Sequence, residues 1–320
     1  MKLDDLVNSP GEWLRTGGPL SDVVISTRIR LARNVAGFNF LSRTTADQRK
    51  QIERVLFEAI TASDLGKNTF YVDIDKSDPL DRQFLVERHL ISKQHADGEG
   101  SRGVAISNSE TFALMINEED HLRIQVMRRG LNLDEAWEET ARVDAALESQ
   151  VEFTFHKQFG YLTACPTNVG TGLRVSVMLH LPALKLTNEI EKVFRAAKEM
   201  HLAVRGLHGE GTDALGDFFQ ISNQVTLGFS EDEILTGFRA EVIPSIVRYE
   251  QEARRVLQRT KSAALDDKIW RALGTLQNAR AISGDEALFL LSHLRMGVVL
   301  ERIKDVGLEA ISEMFLATQS

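Results

Sequence analysis

VVISTRIRLAR, Val23–Arg33, is a β-branched apolar run interrupted by three arginines. In an extended chain successive side chains alternate, so Arg28 and Arg30 share one face with Ser26 behind them. Val23, Ile25, Thr27, Ile29 and Leu31 share the other, which reads as core. Two neighbouring cations repel, and that face of the strand supplies no carboxylate. The pattern therefore predicts a strand with a core side and an anion-binding side. Arg33 is out of register with the cationic face and is left off the list of binding residues.

The rest of the composition sharpens this expectation. The chain has 320 residues, 43% hydrophobic and 26% charged, with a net charge of −8. That balance is ordinary for a globular protein and argues against direct binding of nucleic acid or an anionic membrane. An arginine cluster in an acidic chain points instead to a small, focused anion site. A single cysteine, Cys165, excludes an intramolecular disulfide, and no Cys/His spacing fits structural zinc. The first residues lack the apolar centre of a signal peptide, and no apolar run reaches membrane-spanning length, so a cytoplasmic protein is expected.

Residues 1–20 read as a polar lead-in. After the first strand, TADQRKQIERVLFEAI (45–60) opens with a Thr45/Gln48 capping box and carries an apolar stripe at helical spacing. TFYVDID (69–75), RGVAIS (102–107), TFALMIN (111–117) and LRIQVMR (122–128) read as strands, the last two close enough to be antiparallel neighbours. LDEAWEETARVDAALESQ (133–150) reads as an amphipathic helix. GYLTACPTNVGTGLRVSVMLHLP (160–182) reads as strand, loop and strand. TNEIEKVFRAAKEMHL (187–202) is helical and DFFQISNQVTLG (217–228) strand-like. From Ser230 the pattern is helical, with capping boxes at Ser230/Glu233 and Ser283/Glu286 and a kink or break at Pro244. The expected organisation is an α+β body over 1–258 and a small helical domain over 259–320. In that domain Ile269, Trp270, Leu273, Leu276, Leu288, Phe289, Leu291 and Leu294 offer apolar surface either for a homodimer interface or for packing on the body.

Three loops carry candidate chemistry. NEEDHLR (117–123) packs three acids, a histidine and an arginine between apolar strands, and taken alone reads as a solvated hairpin turn. ACPTNVGTGLR (164–174) sets a lone cysteine before a glycine-containing loop whose amides suit an oxyanion, or else buries an inert thiol in a tight turn. RGLHGEGTDALG (205–216) places four glycines around Glu210, as a closing loop that carries an acid or as a plain surface connection. No Walker-type phosphate loop is present, and DIDKSDPLDRQF (73–84) fails as a calcium loop at its glycine and closing glutamate positions.

Together these segments supply Arg28, Arg30, Arg123, Arg174 and Arg205, the carboxylates Glu119 and Glu210, and one thiol. Arginines suit a polyphosphate and the charge of a transferring phosphoryl group. Carboxylates suit a cationic acceptor such as a guanidinium, which must be held in line and deprotonated as its nitrogen attacks.

STRIRLAR, NEEDHLRIQ, CPTNVGTGLRVSVMLHLP and RGLHGEGTDALGDFFQISNQ resemble, in order, the motif series of the phosphagen (guanidino) kinases, over Ser21 to about Glu231. The resemblance implies that family's catalytic fold, an antiparallel sheet flanked by helices. It implies that the five arginines grip the phosphates of ATP, with Mg2+ held mainly through the nucleotide rather than by protein ligands. It further implies that Glu119 and Glu210 hold and deprotonate the guanidinium, with Cys165 as a thiolate beside them. His89, in VERHLIS, matches the family's histidine near adenine.

The departures from the small-molecule enzymes set the branch. Only about twenty residues precede STRIR, where those enzymes carry a helical domain of roughly a hundred residues, a common domain size. The specificity loop that domain supplies is therefore expected to be missing and the guanidino site open. Met178 stands where those enzymes have a second adenine-side histidine, and His208 where they have another arginine. These features resemble the bacterial protein arginine kinases, which phosphorylate arginine side chains of proteins and mark them for a Clp-type protease. Stress-response and quality-control roles, and an activator protein, are implied on the same ground. The sequence reaches EMFLATQS without the arginine-rich segment by which some of those kinases recognise phosphoarginine, so either that site is absent or the sequence is truncated, and self-regulation through phosphoarginine stays open. A kinase for a free guanidino metabolite and a catalytically silent ATP- or phosphoarginine-binding adaptor remain the alternatives.

Overall fold

In the computed structural model, the described residues are 6, 11–12, 15–206 and 215–318. The strands are β1 (Val24–Arg33), β2 (Thr69–Asp73), β3 (Gly103–Ser107), β4 (Phe112–Ile116), β5 (Leu122–Arg129), β6 (Phe155–His156), β7 (Gly160–Tyr161), β8 (Leu173–His180), β9 (Leu202–Gly206) and β10 (Phe218–Asn223). Eight form a sheet in the order β2-β3-β4-β5-β1-β8-β10-β9, and every pairing is antiparallel. β6 and β7 make a separate small hairpin.

β1 lies inside this sheet, and its alternation decides what each face holds. Ile29 and Leu31 are fully buried, as are Ile124 and Val126 of β5, Val175 and Val177 of β8, and Ile221 of β10. The helix Leu133–Glu148 packs on β1 and β5, contributing buried Ala136, Val143 and Leu147. The helix Ile190–Glu199 packs on β9 through its apolar stripe. Burial of these large aliphatic side chains is worth about 1.5–3 kcal/mol each and fixes the strand register, since a one-residue slip would exchange the two faces.

The capping signals decide several helix starts. Thr45 and Gln48 form both bonds of their box, as do Ser230 and Glu233. At Ser283 the serine half forms, with Glu286 N donating to its hydroxyl, and the reciprocal bond does not appear. Pro244 falls differently from the expected break. The helix Glu231–Gly237 continues through a π-helical turn, Phe238–Val242, into Ile243–Thr260. The proline thus sits in the first turn of the last segment, where a missing N–H is least costly, and the wider turn absorbs the change.

The chain turns at Lys261, just past the expected boundary, into the helices Ser262–Asn278, Gly284–Val299 and Leu308–Ala317. Ile269, Leu288, Leu291 and Leu294 are buried within the chain, whereas Trp270 and Phe289 stay about half exposed. Much of the apolar surface the sequence offered is therefore spent on internal packing. The helix Gly284–Val299 is also joined to the body by polar contacts. Arg295 donates to Ser21 O and Asp22 O at 2.7 and 3.1 Å, and Ser292 donates to Asp217 Oδ2 at 2.7 Å. Among the described residues no helix is long and apolar enough to cross a membrane.

Candidate active site

Residues directly opposite in antiparallel neighbours point to the same side of a sheet. Arg30 of β1 faces Gln125 of β5 and Arg174 of β8, and Arg28 faces Ser176 of β8. Arg123 of β5 is opposite Ala32, and Arg205 of β9 is opposite Gln220 of β10. The five arginines named from the sequence therefore share one face, the one away from the apolar layer. Arg205 is a correction in detail: the sequence reads as a loop from this residue onward, but Arg205 occupies the edge strand β9, a short run hidden beside the glycine-rich stretch that follows it.

This face lacks enough negative charge for its cations. Arg28 Nη2 donates to Gln220 Oε1 at 2.6 Å and Arg174 Nη2 to Ser222 Oγ at 3.1 Å, both neutral partners. The Nε groups of Arg30 and Arg174 are buried without a hydrogen-bond acceptor. Burial, and then repulsion from Arg28, Arg123 and Arg174, drives the pKa of Arg30 well below its usual value. Burial and the charges of Arg123, Arg174 and Arg205 push Arg28 down to about 10. Arg174 is lowered by burial, Arg205 and Arg123. The uncharged lining, Gln125, Ser176, Gln220 and Ser222, was missed in the sequence. Its signal is the alternation within LRIQVMR, LRVSVMLH and FFQISN, whose polar positions fall in step with the arginines.

Arg33 belongs elsewhere. Its Nε and Nη2 grip Asp144 of the helix Leu133–Glu148 at 3.1 and 2.6 Å, and its guanidinium lies 3.5 Å from the centre of the Tyr161 ring. This forked, buried pair ties the end of β1 to the helical layer.

The hairpin between β4 and β5 is built into the protein, which corrects its reading as a solvated turn. Asp120 and His121 are fully buried and Asn117 nearly so. Asp120 Oδ1 accepts from Asn34 Nδ2 at 2.7 Å and from Ala164 N at 2.6 Å. Val35 N donates to His121 Nδ1, and His121 Nε2 faces Asn39 O at 2.9 Å, an arrangement that fits a neutral ring. Burial lowers the His121 pKa accordingly. Arg123 is clamped between Glu118 and Glu119, at 2.8 Å from each. Glu118, missed in the sequence, is almost wholly buried and also accepts from Ser92. Glu119 keeps about a third of its side-chain surface exposed.

Asp120 also brings the thiol loop to the acids, because Ala164 precedes Cys165. Cys165 is half-buried, with Sγ 3.0 Å from Thr167 Oγ1, at the start of the 3-10 turn Pro166–Asn168. Cys165 and Glu119 both favour the charged form of Arg174, so thiol, acid and arginine lie within electrostatic reach of one another. Glu210 and His208 lie outside the described residues. His89 lines one pocket with Ser26, Arg28, Ser176, Met178 and Gln220. From Arg28 and His89 a cleft of about 840 Å³ runs between the segment 79–97 and the start of the helix Gly284–Val299. Among the described residues no three His, Cys, Asp or Glu side chains converge as a metal site.

A cation-rich sheet face next to an acid hairpin and a thiol defines a phosphoryl-transfer class, and comparison with known proteins agrees. Residues 51–253 match the ATP:guanido phosphotransferase C-terminal catalytic domain, and the chain belongs to that family. Residues 262–320 match the protein-arginine kinase McsB C-terminal domain, which sets the branch. The protein-arginine kinase of Halothermothrix orenii is 42% identical over 99% of this chain and 90% of that protein. That of Symbiobacterium thermophilum is 43% identical over 100% of this chain and 91% of that protein. Among solved structures, the duplicated taurocyamine kinase of Schistosoma mansoni superposes with a TM-score of 0.65 at 29% identity, over 78% of this chain and 36% of that one. A lombricine kinase gives 0.64 at 29% identity, over 78% of this chain and 70% of that one.

Proposed function

We propose that this chain is an ATP-dependent protein-arginine kinase, moving the γ-phosphoryl group to a guanidino nitrogen of arginine side chains in proteins. The observation that carries this reading is the cationic sheet face. Arg30 and Arg174 hold buried, unpartnered Nε groups among other cations, and a polyphosphate supplies the missing acceptors and charge. In this reading Arg28, Arg30, Arg123, Arg174 and Arg205 hold the phosphates, and the pocket of His89 and Met178 takes the base. Magnesium, bound to the same phosphates, would add charge neutralisation there.

Glu119, with Glu210, holds the guanidinium in line. As the N–P bond forms and the P–O bond to ADP breaks, a carboxylate receives the proton from nitrogen. Because a free guanidinium titrates above 12, orientation by the acids matters more than their basicity. Cys165, on the loop that Asp120 ties to the acid hairpin through Ala164, faces the same group and helps orient it. The protein-arginine kinase names of the relatives support an arginine acceptor. The branch resemblance further supports a cytoplasmic role in stress response, an activator protein and a Clp-type protease that takes the marked proteins, and the apolar side chains left half exposed on the C-terminal helices, Trp270 and Phe289, support a homodimer.

The test is incubation with ATP, Mg2+ and an arginine-rich unfolded protein, followed by mass spectrometry for phosphoarginine. The wild type is expected to form it, and Glu119→Ala to lose about a hundredfold or more in rate. Absence of phosphoarginine would overturn the activity, and a Glu119→Ala rate near wild type would overturn the assigned role. Faster turnover of free arginine than of protein would shift the acceptor to a metabolite.

A further inference from the structure

An exposed apolar surface beside the thiol loop has no part in that chemistry. Phe155 is 60% exposed, Leu227 48% and Phe229 52%, with Phe159 and Val225 also open to solvent. Scattered apolar side chains are ordinary on a surface, but these sit on two segments that grip the same loop. On one side Tyr161 N donates to Gly170 O at 2.8 Å, and the Phe155 ring meets Tyr161 edge-on at 5.3 Å. On the other, Thr226 Oγ1 lies 2.7 Å from Val169 O and 3.0 Å from Thr167 O. Leu227 approaches so closely that a Cβ at Gly170 would come within 3.0 Å of its Cα. The loop held between them carries Cys165.

The rim of this surface is acidic. Glu148 accepts from the Tyr161 hydroxyl, Glu152 is exposed before Phe155, and Glu231 and Asp232 follow Phe229. Glu148 and Glu231 both act on the buried carboxyl of Asp144, so the two acidic segments converge. Lys157 is the cation of the β6–β7 hairpin, between Phe155 and Phe159.

We propose that this apolar, acid-rimmed surface docks extended, arginine-bearing segments of the protein substrate on either side of the arginine that enters beside Cys165. The inference rests on the kinase reading and names how its substrate is recognised. An unfolded segment presents aromatic and aliphatic side chains together with cations, which matches both the patch and its rim. The patch is continuous with the loop that carries the thiol, so a chain lying on it passes the acids. A free guanidino metabolite has nothing to place there.

The test uses the full chain carrying Phe155→Ser, Leu227→Ser and Phe229→Ser, with two acceptors: an unfolded arginine-rich protein and a capped Gly-Arg-Gly tripeptide. The triple variant should raise KM for the protein about tenfold, leaving kcat, KM for ATP and tripeptide turnover within about twofold of wild type. Added salt should raise the wild-type KM for the protein as the acidic rim is screened. An unchanged KM for the protein would overturn the proposal. So would an equal loss on both acceptors, or a change in oligomeric mass, which would assign the surface to a second copy. If the wild type phosphorylates neither acceptor, the kinase reading fails. Anisotropy of the labelled unfolded protein without ATP then decides the surface alone: about fivefold weaker binding by the variant supports docking, and equal binding refutes it.

Discussion

Arg30 is a side chain whose cost to the fold and use to the site have the same cause. It is held inside a group of cations, and its charged form is disfavoured by burial first and then by Arg28, Arg123 and Arg174. A base whose folded pKa lies below its unfolded value destabilises the protein wherever it is charged, and a guanidinium keeps its charge at neutral pH. Arg30→Met should therefore raise the stability of the ligand-free protein by about 1–2 kcal/mol, while the further gain in melting temperature given by ATP in the wild type largely disappears. Thermal melts of both proteins with and without ATP check this; a variant less stable than wild type would contradict the frustrated-charge account. The cationic face was legible because alternation within one strand needs no partner. Glu118 and Asp120 were not, because what makes them structural is distant: Ser92 is 26 residues from Glu118, and Ala164 and Asn34 are 44 and 86 from Asp120. A sequence shows acids in a turn, but only the folded chain shows which of them are enclosed.

Among elements, legibility followed how local the cause was. The helices starting at Ala46 and Glu231 were readable because Thr45 and Ser230 cap them within one turn. β9 was not, since five residues beside a glycine-rich stretch gain their pairing only from β10. The helix Gly284–Val299 was visible as a helix, but not as a brace. Its polar residues Ser292, His293 and Arg295 are buried, where a sequence reading assigns such residues to solvent. Ser292 donates to Asp217 at 2.7 Å and lies 2.9 Å from His180 Nε2, and so joins the start of β10 to the end of β8. Ser292→Ala leaves both buried partners short of a bond and should cost about 1–3 kcal/mol, read from urea unfolding. Because β8 and β10 carry Arg174 and Gln220, KM for ATP should rise as well. A variant as stable as wild type would show that the helix is held by its apolar contacts alone.

For the whole molecule, the same enclosure that lowers arginine pKa values also affects histidines spread through the body. Burial pushes His95 down to about 4, lowers His121, and sends His180 well below its ordinary value of 6.5. Each keeps its neutral form to lower pH in the folded protein than in the unfolded chain, which takes a proton from about pH 6.5 downward. Their contribution is complete above that pH and is lost as pH falls from there through the folded values. Buried carboxyls oppose the trend: Glu12, Asp120, Asp144 and Glu250 have raised pKa values, so they protonate first in the folded protein and gain stability in acid. One substitution separates the two groups. His95 is 1% exposed and holds Gly103 O at 3.2 Å, so His95→Gln keeps an amide donor for that carbonyl and removes the titration. A fully expressed shift from 6.5 to about 4 corresponds to about 3 kcal/mol across that range. Urea unfolding from pH 7 to pH 4.5 should therefore show stability falling less steeply in His95→Gln than in wild type, by up to about 1.4 kcal/mol per pH unit. Parallel curves would mean that His95 takes its proton in the folded protein too, and that its surroundings open to water before the sheet does.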